Sequence, residues 1–193
     1  MARPKEFDPD TVLDRALELF WERGYDATSM ADLVEHLGIG RASLYTTFGS
    51  KHDLYLKALD RYLLRVDPSP LEFLSRPGPA LRLVRALVER YAQQCAEDVH
   101  GRGCMVVNAA IERLPGDRLV ARRVEMAWDT LEAALAAALH RAQVQGELAP
   151  DKDPRSLARF FLVFLQGLRV VSKARWDPQR LRDAAKEALS LLN

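Results

Sequence analysis

Hydrophobic residues along the chain recur at intervals of three and four positions, which is the spacing of an amphipathic helix. In the first such stretch the apolar stripe is formed by Leu13, Ala16, Leu17 and Phe20. Asp8 followed by Pro9 marks the start of this helix, because Asp is a favoured N-cap and Pro suits the first helical turn. Val, Ile and Thr do not alternate with polar residues over any long run, as they would in a half-buried strand. The pattern predicts an all-α protein.

The same spacing and the same boundary signals predict the later helices. Asp-Pro steps recur at Asp153-Pro154 and Asp177-Pro178. We expect helices over residues 51–66, 79–97, 104–113, 117–145 and 154–173, and a final helix with a stripe of Leu181, Ala184, Ala185, Ala188 and Leu192. Four prolines at positions 68, 70, 77 and 79 predict an irregular loop. We therefore expect one domain over residues 1–66 and a second over residues 67–193.

The most specific pattern lies between residues 29 and 55. Ser29 with Asp32 three residues later predicts a capping box, so a short helix begins there. Gly38-Ile39-Gly40 ends that helix with a sharp turn, and a second short helix follows it. This second helix packs inward through Ala42, Leu44 and Phe48, and it leaves hydrogen-bonding side chains on the outside: Arg41, Ser43, Tyr45, Thr46 and Thr47. Such a face suits a recognition helix in the major groove of DNA.

This segment resembles the DNA-binding domain of the tetracycline-repressor (TetR) family of bacterial transcription regulators. The residues that match the family pattern are Thr28-Ser29, Gly38-Ile39, Leu44-Tyr45, Phe48-Gly49, Ser50-Lys51 and Asp53-Leu54. Gly40 departs from the pattern, because a Ser or Thr often caps the recognition helix at that position. The resemblance implies a ligand-responsive regulator, most often a repressor, that binds a palindromic operator in double-stranded DNA as a homodimer.

Arg41 is the candidate for base recognition. Its guanidinium group can donate two hydrogen bonds to O6 and N7 of one guanine. A phosphate contact or a solvated surface position is the alternative role. The other candidates for DNA contact are Thr28, Ser29, Gly40, Ser43, Tyr45, Thr46, Thr47 and Lys51. Capping explains Ser29 equally well, and Lys51 lies where a helix N-terminus would favour phosphate.

Overall charge alone does not indicate a nucleic-acid-binding protein. The chain of 193 residues has a net charge of +1, and residues 1–66 carry 9 Lys and Arg against 11 Asp and Glu. The acidic residues concentrate in the first helix, whereas the stretch from His36 to His52 contains Arg41 and Lys51 and no acid. Since DNA affinity depends on charge at the contact face, this distribution is compatible with DNA binding.

The helix predicted over residues 154–173 is apolar on nearly all sides, so it must be covered on several sides. We expect a homodimer whose interface is a bundle of two helices from each subunit, which is also what the family resemblance implies. A self-contained core is the alternative. The interface candidates are Phe160, Phe164, Leu168, Val171, Leu181, Ala185 and Ala188.

By resemblance, the second domain encloses an apolar pocket for an unknown small-molecule effector. The candidate lining residues are Tyr91, Cys104, Met105, Asn108, Glu112, Met126, Trp128, Phe161 and Phe164. Plain core packing is the alternative for the apolar members. Asn108 and Glu112 share one helix face, where they would meet either a ligand or a neighbouring helix end. A redox or electrophile sensor that acts through Cys104 and Cys95 is the alternative input.

Other classes of protein lack support in the sequence. The motifs that would supply an enzyme with a nucleophile and its base, such as HExxH or GxSxG, do not occur. The four His residues show no metal-ligand spacing with the Cys residues, and no cofactor is predicted. No apolar run has the length of a membrane span and no secretion signal opens the chain, so we expect a cytoplasmic location. A helical adaptor without DNA affinity is disfavoured by the predicted exposure of Arg41, Tyr45 and Lys51.

Overall fold

The computed structural model describes residues 7–65, 68–174 and 177–193, and these residues form ten α-helices without any strand. This confirms the all-α prediction. In chain order the helices are α1 (Pro9–Arg23), α2 (Met30–Leu37), α3 (Arg41–Phe48), α4 (Lys51–Leu64), α5 (Pro70–Leu74), α6 (Ala80–Glu97), α7 (Met105–Arg113), α8 (Arg118–Val144), α9 (Pro154–Ala174) and α10 (Pro178–Ser190). None of these helices is long and apolar enough to span a bilayer.

Side-chain caps start most of the helices at the predicted positions. The carboxylate of Asp8 accepts hydrogen bonds from the backbone N–H groups of Asp10 and Thr11 ahead of α1. Ser29 and Asp32 form the predicted reciprocal capping box of α2. Each of these caps satisfies N–H groups that the first helical turn leaves without an intrahelical partner.

One prediction of irregular structure is wrong. Residues 70–74 form the short helix α5 within the stretch that the prolines indicated as a loop. Ser69 and Glu72 make a capping box, and Pro70 occupies the first helical position, where its missing N–H costs no hydrogen bond. Leu74 at the end of α5 is buried. The prolines therefore begin a helix here as well as interrupting the chain.

The chain forms two compact units. The first contains the described residues up to 65 together with Cys104–Val124, and the second contains residues 68–103 and Glu125–Asn193 where they are described. The first unit thus includes α1 to α4, α7 and the first turns of α8. A division at residues 66 and 67 alone does not account for α7, which packs against α4.

Within the first unit, α4 neutralises much of the acidic charge of α1. Arg61 binds the carboxylate of Asp14 at 2.8 Å, and Arg65 binds Glu18 at 3.0 Å. The aromatic core beside these pairs joins Phe20 to Tyr55 with ring centroids 5.1 Å apart. Three acidic residues of α1, Asp10, Asp14 and Glu18, are therefore engaged with Arg61 and Arg65.

These ion pairs make the stability of the protein dependent on acid pH. Hydrogen bonding by Arg61 is the main cause that lowers the pKa of Asp14. A carboxylate with a lowered folded-state pKa stabilises the fold above its unfolded-state value of 3.8, and that contribution is lost as the pH falls through the lower folded value. We expect the free energy of unfolding, measured with urea between pH 6 and pH 2.5, to fall mainly below about pH 4.

The variant Asp14→Asn separates this pair from general acid sensitivity. We expect it to be less stable than the original chain at pH 6 and to lose less stability on acidification. Two unfolding curves that stay parallel across the same pH range would contradict a role for the Asp14–Arg61 pair.

Within the second unit, α6 packs against both α9 and α10. Its core is built of Leu, Val and Ala side chains around the fully buried ring of Phe161. Along α9 the buried positions are Ala158, Phe161, Leu165, Leu168 and Ser172. This spacing of three and four residues places one face of α9 in the core of the unit and leaves the opposite face outside.

Candidate nucleic-acid interface

Helices α2 and α3 form a helix-turn-helix. Gly38 ends α2 in the left-handed conformation with φ of 69°, and its N–H donates to the carbonyl of Val34. The two helices are in contact, and Leu33 and Leu37 of α2 and Leu44 of α3 are buried. Ala42, which was predicted to pack inward, is exposed, so α3 presents a wider outer face than the sequence indicated.

The outer face of α3 is polar and carries no acidic residue. Arg41 is the first residue of the helix and its side chain is exposed. Tyr45, one turn later, is 48% exposed, and Ser43 is also exposed. The hydroxyl of Thr46 donates to the carbonyl of Ala42 at 2.8 Å, so it is already engaged with its own helix. Arg41, Ser43 and Tyr45 are therefore the groups of α3 best placed to meet a duplex.

Three other predicted DNA contacts have partners within the protein. The Thr28 side chain is 0% exposed and its hydroxyl donates to the carbonyl of Gly24 at 2.6 Å, so a phosphate contact from this side chain is wrong. Ser29 acts as the N-cap of α2, the alternative role given to it. The ammonium of Lys51 lies 4.1 Å from the centroid of the Tyr25 ring, and partial burial lowers its pKa.

Gly40 caps α3 without a side-chain hydrogen bond, as the departure from the family pattern indicated. Its φ is −65°, and a Cβ built there meets no atom within 4 Å. We expect Gly40→Ser to raise the free energy of unfolding by about 0.5–1 kcal/mol, since a hydroxyl caps the helix and the unfolded chain loses freedom. Urea unfolding measures this gain.

The same change at Gly49 serves as the control. Gly49 has φ of +86°, and a Cβ there would lie 2.6 Å from Oδ2 of Asp53. Gly49→Ser should therefore destabilise the protein by about 1–3 kcal/mol. Equal effects of the two substitutions would contradict this account of α3 capping.

The structure adds a cluster around Tyr25 that the sequence did not indicate. The carboxylate of Glu112 accepts hydrogen bonds from the backbone N–H groups of Tyr25 at 2.9 Å and Asp26 at 2.7 Å. Arg113 binds Asp26 at 2.9 Å, and its guanidinium carbon lies 4.3 Å from the centroid of the Tyr25 ring. The Glu112 carboxylate is thus bound to the loop between α1 and α2.

Asp117 links α4 to the start of α8. One carboxylate oxygen accepts from the N–H groups of Leu119 and Val120 at 3.1 Å, which caps α8. The other lies 2.7 Å from Nε2 of His52. Burial would raise the pKa of Asp117, but the hydrogen bonds with Val120 and His52 together outweigh burial and lower it. The Pro-Gly-Asp sequence of residues 115–117 is a helix-start signal, but it does not reveal His52 as the partner.

The candidate effector residues fall into both units. Cys104, Met105, Asn108 and Glu112 belong to the first unit, whereas Tyr91, Met126, Trp128, Phe161 and Phe164 belong to the second. Tyr91 and Phe161 are buried in the core of the second unit, and Met126 is exposed on its surface. An open groove of about 530 Å³ lies between α6 and α10 and is lined by none of these residues.

The structure buries some of the residues predicted for the dimer interface and leaves others exposed. Four of the candidates lie within the core of the second unit and have almost no surface left for a partner: Leu168, Leu181, Ala185 and Ala188. Phe160 and Val171 are exposed, and Phe164 is half-buried with its ring stacked on that of Phe160 at 6.0 Å. The sequence did not distinguish the two faces of α9 because both are apolar.

The exposed polar face of a short helix after a tight glycine turn defines a helix-turn-helix DNA-binding protein. Residues 12–58 match the family model of bacterial regulatory proteins of the tetR family, and residues 80–188 match that of the tetracyclin repressor-like C-terminal domain. The chain belongs to the TetR family of transcriptional regulators, which are not enzymes.

Full-length relatives support this assignment. The chain is 39% identical to an uncharacterized HTH-type transcriptional regulator, YezE, from Bacillus subtilis (strain 168), over 100% of both chains. It is 30% identical to the HTH-type transcriptional repressor ComR from Escherichia coli (strain K12), over 98% of this chain and 90% of ComR. A cysteine mutant of the TetR-family regulator CifR, solved with 26-bp double-strand operator DNA, is 33% identical and superimposes with a TM-score of 0.86 over 100% of both chains.

Proposed function

We propose that this regulator is a repressor that binds a palindromic operator as a homodimer and releases it when a small molecule binds. The observation that carries this proposal is the likeness over the whole chain to CifR in complex with operator DNA. The acid-free outer face of α3, with Arg41 at its start, supplies the chemistry for reading bases in the major groove. Such a repressor acts on promoter DNA in the cytoplasm.

The exposed face of α9 supports the homodimer. Phe160, Val163, Val170 and Val171 are at least 41% exposed, and they follow one another at the spacing of a single helix face. Gly167 lies within this stripe, and no atom lies within 4 Å of a Cβ built there, which would let a second helix approach closely. A second copy of the chain covers such a stripe in a symmetric, self-complementary way.

Selection from a random pool of duplex DNA tests this function. We expect the purified protein to enrich a palindrome whose half-sites are about one helical turn apart, because two recognition helices related by a twofold axis read successive major grooves. Enrichment of no sequence, or of a site without symmetry, would contradict the proposal and favour the helical adaptor.

The release step has a second candidate input, oxidation or alkylation of a thiol. The observation that favours it is that the CifR structure was solved with substituted cysteines. In this chain Cys104 immediately precedes α7, the helix whose last turn binds the loop between α1 and α2. Both Cys95 and Cys104 are buried, so a reagent would have to reach them through an opening of the structure.

Operator binding before and after a thiol oxidant separates the two inputs. A thiol sensor should release DNA on oxidation, recover with dithiothreitol and become insensitive in Cys104→Ser. Unchanged binding through the same treatment would leave a non-covalent effector as the input.

A further inference from the structure

Glu112 occupies a binding site made of backbone N–H groups. Its Oε2 accepts from Tyr25 and its Oε1 accepts from Asp26, so both carboxylate oxygens are used. Gly24 lies directly against this carboxylate, because a Cβ built there would be 2.9 Å from Oε1. Gly24 also has φ of +86°, which disfavours any larger residue. The loop between α1 and α2 is therefore shaped to receive the end of α7.

Arg113 contacts the side chains of the same loop. One guanidinium nitrogen binds Asp26 at 2.9 Å and another lies 3.4 Å from Asp117. The Tyr25 ring is contacted by Arg113 and also by Lys51, with each cation within 4.3 Å of the ring centroid. Cations at this distance from an aromatic ring are attracted to it electrostatically. Arg113 is thus connected through one ring to the first residue of α4.

The loop held by Glu112 leads directly into the DNA-reading helices. Gly24 accepts the hydroxyl of Thr28, and the next residue, Ser29, caps α2. Lys51, which contacts Tyr25, begins α4. Arg123 adds a two-pronged ion pair between α8 and Asp60 of α4 at 2.6 and 2.8 Å. A displacement of the end of α7 would therefore act on the N-termini of both α2 and α4.

We propose that Glu112 and Arg113 are positioning residues for operator binding. They hold the N-termini of α2 and α4 in the arrangement that meets the DNA phosphates, although neither residue contacts DNA itself. This inference rests on the proposed function, since it assigns residues that make operator binding possible. It makes α7 a part of the DNA-reading unit rather than only a wall of an effector pocket.

The variant Glu112→Gln tests the proposal with a change of one atom. The amide keeps the shape of the side chain but turns one acceptor into an NH₂ group that faces a backbone N–H. Operator affinity, measured by fluorescence anisotropy with the full-length dimer, should fall by about tenfold, the usual scale for one charge-assisted hydrogen bond. The matched control is Glu125→Gln, the same change at an exposed position of α8, and it should bind like the original chain.

Two further measurements distinguish positioning from general destabilisation. Because phosphate contacts do not depend on sequence, affinity for a non-specific duplex should fall together with operator affinity in Glu112→Gln, and the dependence of operator binding on salt should become shallower as phosphate contacts are lost. Circular dichroism and sizing at the assay temperature establish that the variant is a folded dimer. If Glu112→Gln does not fold, the same measurements are made on Arg113→Lys. Its single ammonium cannot reach Asp26 and Asp117 and also stack on Tyr25.

The outcomes are separable from those of the proposed function. If the original chain enriches no operator, the proposed function fails before Glu112 is tested. If the original chain binds its operator and the folded variant binds it equally well, the positioning role is overturned. A loss of operator affinity in the folded variant with an unchanged dependence on salt also overturns it, because the phosphate contacts would then be intact.

Discussion

Val163→Asp should convert the regulator into a monomer that no longer holds its operator. Val163 is 72% exposed in the single chain, at the centre of the apolar face of α9. In a symmetric dimer the substitution would bury two carboxylates without partners, each at a cost of about 3–5 kcal/mol. We expect the dimer dissociation constant to rise by at least roughly 100-fold, as measured by sedimentation, and operator affinity to fall with it.

The control for this variant is Val144→Asp at the end of α8. Val144 is 76% exposed, so the two substitutions add the same charge to equally accessible valines on long helices. Only the change on α9 should alter the mass in solution, and both proteins should remain helical by circular dichroism. Leu168 is not suitable for this test, because it is buried in the core of the unit and a charge there would unfold the protein. If the Val163→Asp protein remains dimeric at micromolar concentration, the exposed face of α9 does not form the dimer interface.

The features that the sequence predicted well depend on near neighbours in the chain. The capping box of Ser29 and Asp32 spans three residues, and the turn at Gly38 requires a conformation that glycine adopts readily. The helical period then determined that Leu44 faces the core and Arg41 faces outward. Ala42 was wrongly predicted to pack inward, because a small apolar side chain is stable on either face of a helix.

The features that escaped prediction depend on residues far apart in the chain. Glu112 and Tyr25 are separated by 87 positions, and nothing in the local pattern around either one identifies the other. The spacing of Asn108 and Glu112 indicated a shared face but not what that face meets. In α9, residues such as Phe161 and Val163 are equally apolar, so hydrophobicity alone could not divide the core face from the outer face.

Arg41→Ala should weaken operator binding strongly while it leaves the dimer intact. Arg41 begins α3, is exposed, and has no acidic residue in the first turn of its helix to compete with DNA. Loss of a two-pronged contact to guanine costs about 1–3 kcal/mol, which corresponds to roughly 5- to 150-fold for each subunit. Because the dimer carries two such helices, the loss should appear at one symmetry-related base pair in each half-site.

The pattern of the loss decides between base recognition and a phosphate contact. If Arg41 reads a guanine, the operator and the operator mutated at that base pair should bind Arg41→Ala equally, and selection with the variant should return any base there. If Arg41 binds phosphate, affinity should fall uniformly for all sequences and the salt dependence should decrease by about one ion per subunit. Arg122→Ala, at an exposed position of α8 in the same compact unit, controls for loss of positive charge. Specificity that survives in the folded, dimeric Arg41→Ala protein would assign base recognition to another residue of α3, with Tyr45 and Ser43 the next to test.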